Sequence, residues 1–418
     1  MKHFLSDRAI LLAVESIYNK HAAESILELE QLCETLNITV VDKVIQRRDK
    51  PDPATYIGSG KLEKIKTFCI QNNVNLIIFD DEITPVQQRN VEKITNLKVL
   101  DRTQVILEIF YQHAFTKEGK IQVEIAKLSY ELPRLRGKGV LLSNLGGGIG
   151  TRGPGETALE LDRRKIRERL KYLKRELEKI KLNRSVSRKA RIESGFYIFS
   201  VVGYTNAGKS TLLSALSNES DILISNKLFS TLNPTVRKVK LPNGRIVLFT
   251  DTVGFINKLP HTLVEAFHST LEEISYAHVL LLLVDAGDPF YREKIDASFK
   301  VLDEIKATDK PMAIVFNKID LVPVEYLENL RYNYPEAVFI SALQKIGFDA
   351  LYSRILRFIH EFDYSGRLNI PTFKVGELAK FSEFIEWSVI EEREDELVID
   401  LKGTKSIVEK ITKYLQRN

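Results

Sequence analysis

Residues Gly203 to Ser210 read GYTNAGKS and fit the pattern G-x-x-x-x-G-K-[ST] at each fixed position. A strand-like apolar run (Phe196 to Val202) precedes them and a helix-like run (Thr211 to Leu216) follows, which is the context such a loop needs. There, successive backbone N–H groups and a helix N-terminus can wrap anionic phosphates. Lys209 would set a point charge on the β- and γ-phosphates and Ser210 would bind Mg2+. The contact set is then Gly203, Tyr204, Thr205, Asn206, Ala207, Gly208, Lys209, Ser210 and Thr211.

The base can be read too. Asn317-Lys318-Ile319-Asp320 follow the apolar Ile314-Val315-Phe316. The Asp320 carboxylate can accept from the N1–H and the N2 amine of guanine, whereas adenine would leave it unpaired. Lys318 would lie over the base, and Asn317 would tie this loop to the phosphate loop. Ser341-Ala342-Leu343 fit a short loop whose backbone touches the guanine O6. Between these elements lies Asp251-Thr252-Val253-Gly254, where Asp251 would hold Mg2+ through water and the Gly254 N–H would meet the γ-phosphate. The stretch Phe229-Ser230-Thr231-Leu232-Asn233 offers Thr231 as the threonine that closes on Mg2+, in preference to Thr235. Together these are the parts of a GTPase, with Lys209 and Gly254 as catalytic residues and Mg2+ as cofactor. A glutamine that orients the attacking water often follows DxxG; here Phe255 stands there and can neither donate nor accept. Intrinsic turnover should be slow, with a partner completing the site.

The elements that carry these loops imply an α/β multidomain protein. At 418 residues, two to four domains are expected. Residues 1–105 alternate apolar runs (Ala9 to Val14, Ile38 to Ile45, Leu76 to Phe79) with helix-like segments, which predicts βαβ units and a small parallel sheet. Across 106–192, Ile121, Ile125, Leu128 and Leu132 recur at helical spacing, as do Ile166, Leu170, Leu173, Leu177 and Ile180. Two such seams predict an antiparallel, coiled-coil-like hairpin. Residues 196–363 read as a Ras-like doubly wound G domain with its ligand at the carboxyl ends of the strands. Residues 366–418 read as a small α/β appendage, with strands at Glu383 to Val389 and Glu396 to Leu401 and an amphipathic run at Lys405 to Leu415.

Charge is unevenly placed. Residues 161–191 carry fourteen lysines and arginines against four acids, a local +10 that leaves −5 for the rest of a chain totalling +5. A basic stripe on a mildly acidic protein points to a polyanion. Between the two hairpin helices lies RGKGVLLSNLGGGIGTRGPGE, residues 136–156, with eight of the chain's 21 glycines between Gly137 and Gly155. Ordering such a run costs entropy and gains no core. Its use is close backbone approach to another surface, with Arg136, Lys138 and Arg152 supplying charge. On the tip of a basic hairpin it reads as a probe for a narrow RNA-lined space. The RNA-contact set is Arg136, Lys138, Gly146, Gly147, Gly148, Gly150, Arg152, Gly153, Gly155, Arg163, Arg164 and Arg167.

GYTNAGKST, FSTLNPT, DTVGF and the run GGGIGTRGPGE resemble the HflX family of ribosome-associated GTPases, over about residues 5–365. The resemblance implies that the loop reaches the peptidyl-transferase region of 23S rRNA in the large ribosomal subunit. It also implies ribosome-stimulated hydrolysis of GTP to GDP, and splitting or rescue of stalled or stressed 70S ribosomes. The alternative is a regulatory GTPase whose basic hairpin binds another RNA or a protein. A tRNA-modification GTPase is disfavoured, because it predicts a C-terminal catalytic cysteine and both cysteines, Cys33 and Cys69, precede residue 70. They lie on predicted helices with no metal-like spacing and read as core thiols in a reducing cytosol rather than a disulfide, and the opening residues carry no secretory signal. No apolar run reaches spanning length; a cytoplasmic protein is expected, and separately a monomer.

Overall fold

The computed structural model describes residues 7–17, 19, 21–135, 154–217, 236–258 and 273–417, with the backbone alone at 154–159, 181, 183–193 and 417. The described chain forms two compact units. One runs to Ile180 and includes Asn257 and Lys258; the other is the remainder from Lys181 onward.

In the first unit, β1 (Arg8–Glu15), β2 (Thr39–Arg47), β3 (Leu76–Phe79) and β4 (Lys98–Asp101) make a parallel sheet in the order β2-β1-β3-β4. Parallel neighbours need crossover helices, here α1 (Ala22–Thr35), α2 (Ser59–Gln71) and α3 (Pro85–Thr95). Inner strands β1 and β3 are almost wholly buried, so they read as unbroken apolar runs; edge strand β2 is mostly exposed. Capping boxes start α3 at Thr84 and α4 (Arg102–His113) at Asp101. Both cysteines are buried free thiols.

An ion network closes the carboxyl end of β3. Buried Asp80 accepts from Arg102 Nη1 at 2.9 Å and from Lys258 Nζ at 2.5 Å, and Arg102 also binds Glu28. Burial alone would raise the Asp80 carboxyl; the two cations outweigh it and hold it below the usual range.

Two long helices follow, α5 (Lys117–Arg134), capped by the Thr116 hydroxyl on Gly119 N–H, and α6 (Pro154–Glu193). Ile121, Ile125 and Leu128 pack on Leu170, Leu173, Leu177 and Ile180. Glu124 meets Arg169 at 2.7 Å and Lys117 meets Glu176 at 3.7 Å, so the register runs antiparallel. Leu132 and Ile166, expected in the same seam, are half-buried outside that cluster.

The second unit holds a six-stranded sheet in the order β10-β9-β8-β5-β7-β6. Its strands are β5 (Ile198–Gly203), β6 (Val236–Lys240), β7 (Ile246–Asp251), β8 (Val279–Asp285), β9 (Met312–Asn317) and β10 (Val338–Phe339). Only the β6–β7 pair is antiparallel. Helices α7 (Lys209–Ser217), α8 (Tyr291–Glu304), α9 (Val324–Asn333) and α10 (Phe348–Phe362) accompany it, and apolar clusters lie on both faces. A three-stranded antiparallel sheet, β11 (Tyr364–Pro371), β12 (Glu386–Glu392) and β13 (Glu396–Gly403) in the order β11-β13-β12, packs α11 (Lys405–Arg417) on one face. Strand β11 is not apparent in the sequence, where Gly366 and Pro371 break an alternating pattern, and β12 begins three residues later than expected. This sheet belongs to the same compact unit as β5–β10. Asp363, between α10 and β11, receives both Arg245 Nη1 at 2.7 Å and Nη2 at 2.9 Å, and Tyr197 donates to it at 3.0 Å.

Candidate nucleotide-binding site

The loop from β5 into α7 has a shape that only its glycines permit. Gly203 lies at φ +142°, and a Cβ there would sit 2.3 Å from the Leu283 carbonyl oxygen. Gly208 lies at φ +93°, and a Cβ would meet Asn317 Nδ2 at 2.3 Å. Both positions combine a backbone region hostile to side chains with a close neighbour. Tyr204, Thr205 and Ala207 are buried, Asn206 is exposed in a left-handed conformation, and Thr211 is half-buried in the first turn of α7.

Lys209 is buried, and its ammonium donates to the Gly203 carbonyl at 3.0 Å and the Tyr204 carbonyl at 2.8 Å. Burial lowers its pKa to about 8, and Asp251 opposes that shift. A Cβ on Gly254 would lie 2.9 Å from Lys209 Nζ, so the lysine and the DxxG glycine share one point in space. Ser210 Oγ and Asp251 Oδ2 stand 3.4 Å apart, with Asp251 at the carboxyl end of β7 and Ser210 at the start of α7. A hydroxyl and a carboxylate are hard oxygen donors that suit Mg2+, which needs few protein ligands when phosphate oxygens and water complete its shell. Among the described residues there is no cluster of three or more His, Cys, Asp or Glu able to hold a metal by themselves.

The DxxG stretch is stitched to the phosphate loop. Phe255 N–H donates to Gly203 O at 3.0 Å, and Thr205 N–H donates to Phe255 O at 2.8 Å. Thr252 Oγ1 donates to Val201 O at 2.7 Å, and Val253 is buried. The Phe255 ring packs in the apolar cluster with Tyr204.

Asn317 links three loops at once. Its Nδ2 donates to Ala207 O at 2.8 Å, and its Oδ1 accepts from Ala342 N–H at 2.9 Å. Lys318, left-handed at φ 65°, places its ammonium 2.6 Å from Asp285 Oδ2. Ile319 N–H donates to Ile340 O at 3.2 Å and opens the turn carrying Asp320, whose carboxylate accepts from Gln344 Nε2 at 3.4 Å. Buried Ser341 takes the Gln344 N–H on its hydroxyl at 3.1 Å, Ala342 is buried, and Leu343 is exposed.

The fold therefore gathers Gly203–Thr211, Asp251–Gly254, Asn317–Asp320 and Ser341–Leu343 at the carboxyl ends of β5, β7, β9 and β10. Sequence reading missed Asp285 and Gln344. Asp285 carries a signal, since it ends an unbroken apolar strand as Asp251 and Asn317 do; Gln344 carries none. Phe229, Ser230, Thr231, Leu232, Asn233 and Thr235 lie outside the described residues, as do Arg136, Lys138, Gly146, Gly147, Gly148, Gly150, Arg152 and Gly153. Gly155 lies in the first turn of α6. Arg163, Arg164 and Arg167 stand on α6 and pair within it, with Glu160 for Arg163 and Arg167 and with Glu168 for Arg164, at 3.4–3.5 Å.

Comparison with known proteins decides the family. A GTPase HflX from Caldanaerobacter subterraneus subsp. tengcongensis is 44% identical over 411 residues, covering 98% of this chain and 94% of that protein. The chain belongs to the HflX family of GTPases. The Escherichia coli GTPase HflX is 37% identical and covers 84% of this chain and 82% of its own length. Residues 23–111 match the family model described as GTP-binding GTPase N-terminal, and 113–191 match GTP-binding GTPase Middle Region. Residues 198–318 match the model described as 50S ribosome-binding GTPase. Among solved structures, a GTP-binding protein from the archaeon Sulfolobus solfataricus in complex with GDP is 26% identical, with a TM-score of 0.44, covering 84% of this chain and 98% of its own. As an HflX GTPase the chain binds GTP and GDP and hydrolyses GTP. No described helix is long and apolar enough to cross a membrane.

Proposed function

We propose that this HflX GTPase is Mg2+-dependent, docks on the large ribosomal subunit, and uses its GTP state to part the subunits of stalled or stressed ribosomes. It would work in the cytoplasm as a monomer. In this reading residues 1–105 form an N-terminal α/β domain and 106–192 the RNA-facing hairpin. Residues 196–363 form the G domain and 366–418 an appendage.

The observation that carries the ribosome reading is the chemistry of α6. Arg163, Arg164, Arg167, Lys171, Lys174 and Arg175 share one side of the helix, off the apolar seam, over three turns or roughly 18 Å. Lys171, Lys174 and Arg175 are exposed and pair with no described carboxylate. Three free cations in line with three intrahelically paired arginines suit a nucleic-acid backbone, whose binding is driven by counterion release. The glycine-rich stretch Gly146 to Gly155 would be carried to the rRNA of the peptidyl-transferase region.

For hydrolysis, the Lys209 ammonium would exchange the Gly203 and Tyr204 carbonyls for β- and γ-phosphate oxygens. The Gly254 N–H would hold the γ-phosphate, and Asp320, Lys318, Asn317 and the Ser341–Leu343 backbone would fix guanine. Ser210, Thr231 and, through water, Asp251 would hold Mg2+, which would supply positive charge to the phosphates when bound. Phe255, packed among apolar side chains, leaves the attacking water without a side-chain partner from that position, so docking on the ribosome would complete the site. Ordering around Thr231 and Gly254 would then switch the affinity of the whole chain for the subunit.

The test is GTP turnover of the protein alone, with isolated large subunits, and with subunits plus a variant lacking Gly146 to Gly155, alongside light scattering of 70S ribosomes. Stimulation by subunits that fails in the deletion, with a GTP-dependent fall in scattering, is the expected result. Equal turnover with and without subunits refutes the reading.

A further inference from the structure

The three-stranded sheet near the C-terminus presents chemistry opposite to that of α6. Among the described residues, strand β12 pairs with β13 alone and no strand lies on its other edge. Soluble proteins commonly guard such an edge with lysine or proline. This edge has neither, and Trp387, Val389 and Ile390 are 38%, 47% and 49% exposed. A bulge between Val389 and Glu391 leaves Ile390 without an opposing residue on β13.

Carboxylates frame these apolar side chains. From Glu386 to Glu396 the chain carries six acids and one arginine, and that arginine, Arg393, is paired with Glu391 at 3.0 Å. A cleft of about 620 Å³ repeats the combination at the β12–β13 turn, where Glu394, Asp395 and Glu396 face Pro371 and the 82% exposed Phe373. Exposed aromatics within a charged rim are the usual anchors of a protein interface. The sign of the rim excludes a phosphate backbone and favours a cationic partner.

We propose that the free edge of β12 and the Phe373 cleft form a docking surface for an extended, lysine- and arginine-rich polypeptide. Its apolar side chains pack on Trp387, Val389 and Ile390, and its cations meet Glu391, Glu392 and the carboxylates of the turn. Among the described residues no strand pairs with the outer side of Glu386 to Val389, which is where a strand would add. None of these residues belongs to the nucleotide site or to α6.

Trp387 is the chain's only tryptophan, so intrinsic fluorescence reports on this surface directly. The full-length protein is titrated with a tryptophan-free peptide of alternating lysine and valine, a matched peptide of alternating glutamate and valine, and a single-stranded RNA oligonucleotide. The expected result is a saturable blue shift with the lysine peptide alone. It weakens about tenfold in a Glu391→Lys/Glu392→Lys variant, while GTP turnover of that variant stays at the wild-type value. Charge reversal at Lys171, Lys174 and Arg175 leaves the shift intact, which separates this surface from the ribosome reading. The proposal is overturned by any of four results: no shift, equal binding by the Glu391/Glu392 variant, an equal response to the glutamate peptide or to RNA, or a shift that grows with protein concentration alone. The last would make a second copy the occupant.

Discussion

The buried lysine of the phosphate loop makes nucleotide affinity a function of pH, with a sign and size that follow from its surroundings. Burial brings Lys209 down to about 8. In the proposed complex, phosphate oxygens would replace two backbone carbonyls around the ammonium, which would raise the pKa again. Binding therefore takes up a proton wherever free Lys209 is neutral. Affinity is full below about pH 7 and declines as pH rises through 8. With a free-state pKa near 8, about nine-tenths of Lys209 is charged at pH 7 and about one-tenth at pH 9. The expected loss of GDP affinity between those values is about tenfold, or ~1.4 kcal/mol. Fluorescent GDP binding at fixed ionic strength from pH 6.5 to 9.5 measures it, with Lys209→Arg as the control that stays charged throughout. A flat wild-type profile refutes the reasoning, as does an Arg variant that bends in the same way.

Four further outcomes are expected. Asn317→Ala leaves the Ala207 carbonyl and the Ala342 N–H without their bridge, and GDP affinity by calorimetry should fall roughly ten- to hundredfold. Gly254→Ala forces a methyl group to 2.9 Å from Lys209 Nζ. Single-turnover GTP hydrolysis should drop about a hundredfold or more, and GDP should still bind. Asp363→Ala strands Arg245, whose side chain is only 2% exposed; urea unfolding should show about 3–5 kcal/mol lost, and the milder Asp363→Asn less. Reversing Lys171, Lys174 and Arg175 to glutamate should weaken large-subunit binding and flatten its salt dependence, measured by co-sedimentation across ionic strengths.

Much of the site was readable because its chemistry is local. A phosphate loop needs its glycines, lysine and serine in one contiguous stretch between strand and helix, so GYTNAGKS declared itself. NKID and DTVG did the same at strand ends. The hairpin seam was readable for a similar reason, since helical spacing places Ile121, Ile125 and Leu128 on one face. Less legible was β11, an edge strand whose glycine and terminal proline mask its period. Gln344, which reaches the Asp320 carboxylate, has no motif around it.

By itself, then, the sequence determined the family, the nucleotide class, the parallel α/β elements and the concentration of positive charge on one helix. All of these follow from residue types at short, fixed spacings. Only the tertiary structure decided which distant groups meet. Asn317 reaches Ala207 across 110 residues, Arg245 reaches Asp363 across 118, and the free edge of β12 falls beside its own carboxylates. Sheet order and packing set those pairings, and no local pattern encodes them, because two side chains far apart along the chain share an environment only after the strands between them have found their neighbours.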